Sequence, residues 1–179
     1  NNRFIGNNGT SVSGVGIHFV SVANITSINE TGRSSSTTGI NVSAGGNHSF
    51  TNPTGISSTH YGLGIGATSG NNFTGGVFMS NSGFSIYIGS GGGGATASNN
   101  TFNHTLLKTN VTWILTLSGD MQNRFQNTTF DQPTAGSITL LPRITITNGS
   151  RINTSTINVT NNRSYVNSTL YSFLNVSGI

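Results

Sequence analysis

Short apolar alternations recur along this chain at a fixed distance. They are Val15-Gly16-Ile17-His18-Phe19, Thr38-Gly39-Ile40-Asn41-Val42, Tyr61-Gly62-Leu63-Gly64-Ile65, Phe84-Ser85-Ile86-Tyr87-Ile88, Trp113-Ile114-Leu115-Thr116-Leu117 and Gly136-Ser137-Ile138-Thr139-Leu140. In each, two apolar residues stand two apart, as in Ile17/Phe19 or Leu63/Ile65, with a mostly small or polar residue between them. That is the period of a strand with one face buried. The first apolar residue of each pair falls at 17, 40, 63, 86, 115 and 138, giving steps of 23, 23, 23, 29 and 23. A constant period of this size marks a repeat architecture.

A second register carries the same beat. Phe4, Phe50, Phe73, Phe102 and Phe125 each precede the next strand anchor by 13 residues, and Ser27 stands where the missing phenylalanine would be. The one long interval coincides with the glycine run Gly89-Ser90-Gly91-Gly92-Gly93-Gly94, as expected of a surface loop inserted into one repeat. A unit of 23 residues is too short for a helix pair and reads as strands that return above their start. The pattern therefore predicts an all-β, single-chain parallel β-helix, with about 23 residues per coil and six regular coils over residues 1–141. At roughly 4.8 Å per coil, six coils rise about 29 Å. From Pro142 the beat is lost, so 142–179 is expected to form irregular coils or a C-terminal cap of the same domain.

Two further columns follow from the register. Two residues before each phenylalanine anchor stand Asn2, Ile25, His48, Asn71, Asn100 and Asn123, a stack suited to an amide ladder. Two before each strand anchor stand Val15, Thr38, Tyr61, Phe84, Trp113 and Gly136. Tyr61, Phe84 and Trp113 would then stack in adjacent coils, either as a core or corner aromatic stack or as a platform for carbohydrate.

Composition narrows the chemistry. Charged residues are only 6% of the chain, and the net charge of +4 comes from seven Arg and Lys against Glu30, Asp120 and Asp131. The cations are scattered: Arg3 and Arg124 share a repeat position but would lie five coils, about 24 Å, apart. No basic stripe for nucleic acid forms. There is no Cys, hence no disulfide framework and no thiolate metal site. No run of 18 apolar residues exists to span a membrane. Neither a signal peptide nor an initiator Met is present, and the chain starts inside the turn leading to Phe4, which suggests a processed product or part of something longer.

The three acids do not share a repeat position, so no pair of carboxylates is set up to flank a glycosidic bond. His18, His48, His60 and His104 do not recur either, and a metal centre needs converging ligands. No catalytic residue, metal or cofactor is expected. Gly62-Leu63-Gly64-Ile65-Gly66 has no following helix and no Lys-Ser/Thr, so it is no phosphate loop.

The densest motif is Asn-x-Ser/Thr. It occurs at Asn8, Asn24, Asn29, Asn41, Asn47, Asn72, Asn99, Asn103, Asn110 and Asn127, and again at Asn148, Asn153, Asn158, Asn162, Asn167 and Asn175. Each is an N-glycan acceptor if the chain meets the machinery. By strand parity Asn41, Asn72 and Asn103 face outward, whereas Asn29 and Asn127 fall inward or at a corner.

The Asn-x-x-Phe elements (Asn1–Phe4, Asn47–Phe50, Asn99–Phe102) and the Gly-Ile-x-Val/Leu strands resemble those of parallel β-helix repeat proteins of the NosD-like, carbohydrate-binding and sugar-hydrolase type. The resemblance covers residues 1–141 and implies the fold. It also implies polysaccharide lyase or hydrolase activity in some members, whose acidic clusters are missing here. The expected function is an extracellular or cell-surface, N-glycosylated structural or adhesive solenoid that self-associates through its ends. The alternative is a carbohydrate-binding or carbohydrate-processing module using Tyr61, Phe84 and Trp113.

Overall fold

Each regular coil contains three strands rather than one. The computed structural model describes residues 2–89, 97–109, 112–116, 122–131, 137–140, 144–147, 151–153, 156–159, 165–166, 169–170 and 176–177. Side chains are described for 2–20, 23–89, 97–109 and 122–131. The first coil holds β1 (Asn2–Ile5), β2 (Asn8–Ser11) and β3 (Ile17–Ala23). The second holds β4 (Ile25–Ile28), β5 (Thr31–Ser34) and β6 (Ile40–Gly46). Then come β7 (Ser49–Thr51), β8 (Thr54–Ser57) and β9 (Leu63–Gly66), followed by β10 (Asn72–Thr74), β11 (Val77–Ser80) and β12 (Phe84–Ile88). The fifth coil has β13 (Thr101–Asn103), β14 (Leu106–Thr109) and β15 (Thr112–Thr116), and the sixth β16 (Asn123–Gln126), β17 (Thr129–Asp131) and β18 (Ser137–Leu140).

Like strands stack on like. The first sheet runs β1-β4-β7-β10-β13-β16, the second β2-β5-β8-β11-β14-β17 and the third β3-β6-β9-β12-β15. Partners lie 23 residues apart and parallel, as in Asn2↔Ile25, Asn8↔Thr31 and Ile17↔Ile40. The chain is thus a parallel β-solenoid. The long step is 29 in the first two sheets (Phe73↔Phe102, Val77↔Leu106).

The third sheet departs from the expected register. Ile86 pairs with Ile114, a step of 28, so Leu115 sits beside Tyr87 instead. Two residues join β14 to β15 where three join β11 to β12, which takes back one residue of the insertion. The expected file therefore holds at Ile17, Ile40, Leu63 and Ile86, and the next strand partner is Ile114 rather than Leu115. Ile138 pairs with Ile157 in a separate three-stranded sheet of β18, β21 (Thr156–Val159) and β24 (Val176–Ser177). Past residue 141 the first and second sheets continue through β19 (Ile144–Thr147), β20 (Arg151–Asn153), β22 (Tyr165–Val166) and β23 (Thr169–Leu170). Steps there shorten to 21 (Phe125↔Ile146) and 18 (Arg151↔Thr169).

The core is a file of phenylalanines from the first sheet against aliphatics from the third. Phe50, Phe73, Phe102 and Phe125 are buried, and their rings lie parallel at 4.7, 4.9 and 4.5 Å. At Ser27 the file is completed from across the core. Phe19 on β3 packs edge-on between Phe4 (5.7 Å) and Phe50 (5.3 Å). Phe19 stands where later coils carry Val42, Ile65 and Ile88, so the larger side chain takes up the volume that serine leaves.

The second sheet explains the early glycines. A Cβ on Gly32 would lie 2.2 Å from the Gly39 carbonyl oxygen, so the strand and the following corner touch main chain to main chain. From the fourth coil the inward position holds Phe78, Leu107 and Phe130, all buried. Among the described residues no helix is long and apolar enough to cross a membrane.

Candidate functional site

Most buried polar groups are occupied in building the rod. Asn100 Oδ1 accepts both the main-chain N–H (3.2 Å) and the side-chain amide (2.8 Å) of Asn71. Asn123 Oδ1 does the same for Asn100, at 3.1 and 2.9 Å. Asn71 Oδ1 accepts the N–H of His48 (3.1 Å), and His48 Nδ1 accepts that of Ile25 (3.2 Å). The amide ladder expected from the register is present inside the core. A hydroxyl column that was not foreseen runs along Ser34, Ser57, Ser80 and Thr109. Each donates to a carbonyl of the preceding coil, and the three serines also accept at their own turn, as Ser80 Oγ does in donating to the His60 carbonyl (2.7 Å) while accepting Gly83 N–H (2.9 Å). Its sequence signal is Ser or Thr at 34, 57, 80 and 109, in step with the phenylalanines.

The sequons divide into two structural kinds. Asn24, Asn29, Asn47, Asn99 and Asn127 all have positive φ, between 46° and 58°, at the corners either side of the first sheet. Asparagine tolerates this left-handed region better than most residues. These five side chains are exposed. Asn29 and Asn127 were expected at a poorer, inward or corner position; they are corner residues, and the left-handed turn carries them outward. Asn8, Asn41, Asn72 and Asn103 lie instead in strands, with Asn8 and Asn72 exposed and Asn41 and Asn103 half-buried. The Asn41 amide nitrogen, where a glycan would attach, donates to His18 Nε2 (2.9 Å), which also lies 2.7 Å from Ser43 Oγ. Asn110, Asn148, Asn162, Asn167 and Asn175 lie outside the described residues, as do the side chains of Asn153 and Asn158.

Tyr61 and Phe84 lie together in the expected column, but Trp113 does not share their register. Trp113 is out of line, because Thr112 rather than Trp113 is the partner of Phe84. Its side chain lies outside the described residues. Tyr61 instead stacks on Tyr87, with centroids 4.6 Å apart and planes 11° from parallel, and lies 6.0 Å from Phe84. Gly64, the strand partner of Tyr87, contributes no side chain of its own, and a Cβ there would meet Asn41 Oδ1 at 2.8 Å. Rings stacked along the axis occupy one another's faces and turn their edges outward. Tyr61, Phe84 and Tyr87 are all half-buried.

The acids do not converge. Glu30 is buried at a corner, where its Oε2 accepts the Asn7 N–H (3.0 Å) and its Oε1 has no partner. Asp131 faces outward on the second sheet, 3.6 Å from Lys108 Nζ. Asp120 lies outside the described residues. Among the described residues no three His, Asp or Glu side chains gather to hold a metal ion.

Two concavities stand out. An open groove of about 560 Å³ runs along the corner between third and first sheets, its floor made by Gly45, Gly46, Ala67 and Gly70 and its rim by Asn47 and Asn99. Another, of about 300 Å³, lies at the β1–β3 edge against Phe4, Ile17, Phe19 and Glu30. The same coil carries Phe4, Ile5, Val12 and Val20, the large apolar side chains that are exposed among the described residues. Comparison of the chain with protein-family models, with curated proteins and with solved structures found no match.

Proposed function

We propose that this chain is a structural or adhesive β-solenoid of the extracellular surface, N-glycosylated and extended by stacking at its ends. One observation carries the reading: β1, β2 and β3 present the outer edges of all three sheets on a single coil that also exposes Phe4, Ile5, Val12 and Val20. Unpaired edges beside apolar side chains favour another coil of the same geometry. The occupant would be the end of a second copy, or the next coil of a longer fibre.

No reaction is assigned, because Glu30 and Asp131 are each engaged in a separate structural contact. Membership of the NosD-like group is part of this proposal only as a shared scaffold. Glycans are assigned first to Asn8, Asn47 and Asn72, which are exposed.

Electron microscopy and light scattering over a concentration series test the assembly. Rods that lengthen with concentration support it, and a monodisperse monomer at every concentration refutes it. Intact mass of secreted material tests the glycans, since a bare-polypeptide mass would remove them.

A second reading, a carbohydrate-binding module, is favoured by the groove rimmed by Asn47 and Asn99, whose glycine floor would let a neutral hydroxyl-rich chain approach the backbone. Glycan affinity in discrete particles, lost on substituting Gly45 with Val, would favour that reading over the first.

A further inference from the structure

The core ladder contains one member that can change charge. Asn71, Asn100 and Asn123 present amide oxygens to the coil before them, but at the same position in the third coil the acceptor is His48 Nδ1. Because the Ile25 N–H donates to Nδ1 at 3.2 Å, the ring proton is on Nε2. The residue is 1% exposed, Nε2 lacks a well-formed hydrogen bond, and the Phe50 ring stands edge-on at 6.0 Å.

We propose that His48 is an acid-sensitive joint in the solenoid, whose protonation releases the second coil from the third while the all-asparagine part of the ladder holds. A proton on Nδ1 would oppose two N–H groups, orphan the Ile25 donor and place a charge in the core. Main chain faces the ring from β4, the Asn71 amide accepts from the next coil, and Phe50 flanks it on its own strand. None of these groups titrates. Among the ionisable side chains of the first two coils, His18 on β3 is exposed and bonded to Asn41, and Glu30 beyond β4 is bonded to Asn7. Neither is hydrogen-bonded to His48.

Burial lowers the pKa of His48 below the ordinary 6.5, with the Ala44 carbonyl opposing in part. The folded joint therefore binds fewer protons than the unfolded chain below pH 6.5. Its stabilisation is complete above that pH and is lost as pH falls through the lowered pKa.

The test is amide hydrogen exchange of the intact chain from pH 8 to pH 5, corrected for intrinsic rates, on the wild type and His48→Asn. Asparagine keeps the acceptor, as it does in the next three coils, and cannot titrate. In the wild type, protection at Ile25 should fall by up to about tenfold per pH unit between pH 6.5 and the folded pKa and level off below it, while protection at Asn100 stays level. In His48→Asn both should stay level. A level profile at Ile25 in the wild type, or the same fall in His48→Asn, would overturn the proposal. If His48→Asn does not fold, NMR titration of the wild-type ring decides: a neutral Nε2–H ring that protonates only below pH 6.5, together with loss of the Ile25 amide signal, supports it. Protonation at or above 6.5 with Ile25 unaffected refutes it.

Discussion

At the scale of single residues, the chain resolves a conflict common to narrow solenoids: corner and core positions leave backbone groups that neighbouring strands do not reach. Asparagine meets it twice. Inside, Asn71, Asn100 and Asn123 satisfy main-chain N–H groups of the coil before. Outside, Asn24, Asn29, Asn47, Asn99 and Asn127 adopt the left-handed corners. Much of the sequon density is thus explained by corner geometry, independently of any glycan. Asn100→Ala should leave the main-chain N–H of Asn71 without its acceptor and remove one of the two acceptors of its side-chain amide, the other being Thr68 Oγ1, at a cost of about 1–3 kcal/mol for the donor left unsatisfied. Urea denaturation followed by circular dichroism would measure it. Asn24→Gly, at an exposed left-handed corner, should by contrast be nearly neutral.

Between elements, the informative place is the gap in the phenylalanine file. Ser27 and Phe19 lie on different strands, 8 residues apart in sequence, yet they share one volume beneath Phe50. Phe19→Ala should open a cavity and destabilise by about 3–5 kcal/mol. Ser27→Phe alone should overpack the site, costing about 1–3 kcal/mol. The double variant should recover much of the loss, because the introduced ring would then continue the file directly. A double-mutant cycle in denaturation midpoints checks this, and simple additivity of the two losses would count against shared space. The weak copy of the repeat was visible in the sequence, but its remedy was not, since periodicity relates residues 23 apart and says nothing about which side chain reaches across the core.

For the molecule as a whole, stability is distributed along one axis, and each coil depends on its neighbours. Position along the rod should then matter as much as residue type. Phe73, sandwiched between Phe50 and Phe102, should cost about 3–5 kcal/mol when replaced by alanine. Phe4 is 37% exposed and touches Phe19 on one side, so its replacement should cost only about 1 kcal/mol. Thermal melting of the two variants separates them, and equal losses would mean that the coils do not behave as stacked units.

The sequence alone determined the period, the parallel stacking, the phenylalanine file and the amide ladder. Each depends on like residues recurring at like positions, and in a solenoid recurrence in sequence is adjacency in space. Only the tertiary structure decided that every coil bends into three strands, because the second sheet's glycines carry no hydrophobic signal. It likewise decided that one residue of the insertion is returned between β14 and β15, which pairs Ile114 rather than Leu115 with Ile86, and Thr112 rather than Trp113 with Phe84. A count along the chain cannot locate such a compensation, since it depends on how short a connection the corner can close. The exposure of Asn29 and Asn127 was decided in the same way, by a backbone dihedral that alternation along a strand does not encode.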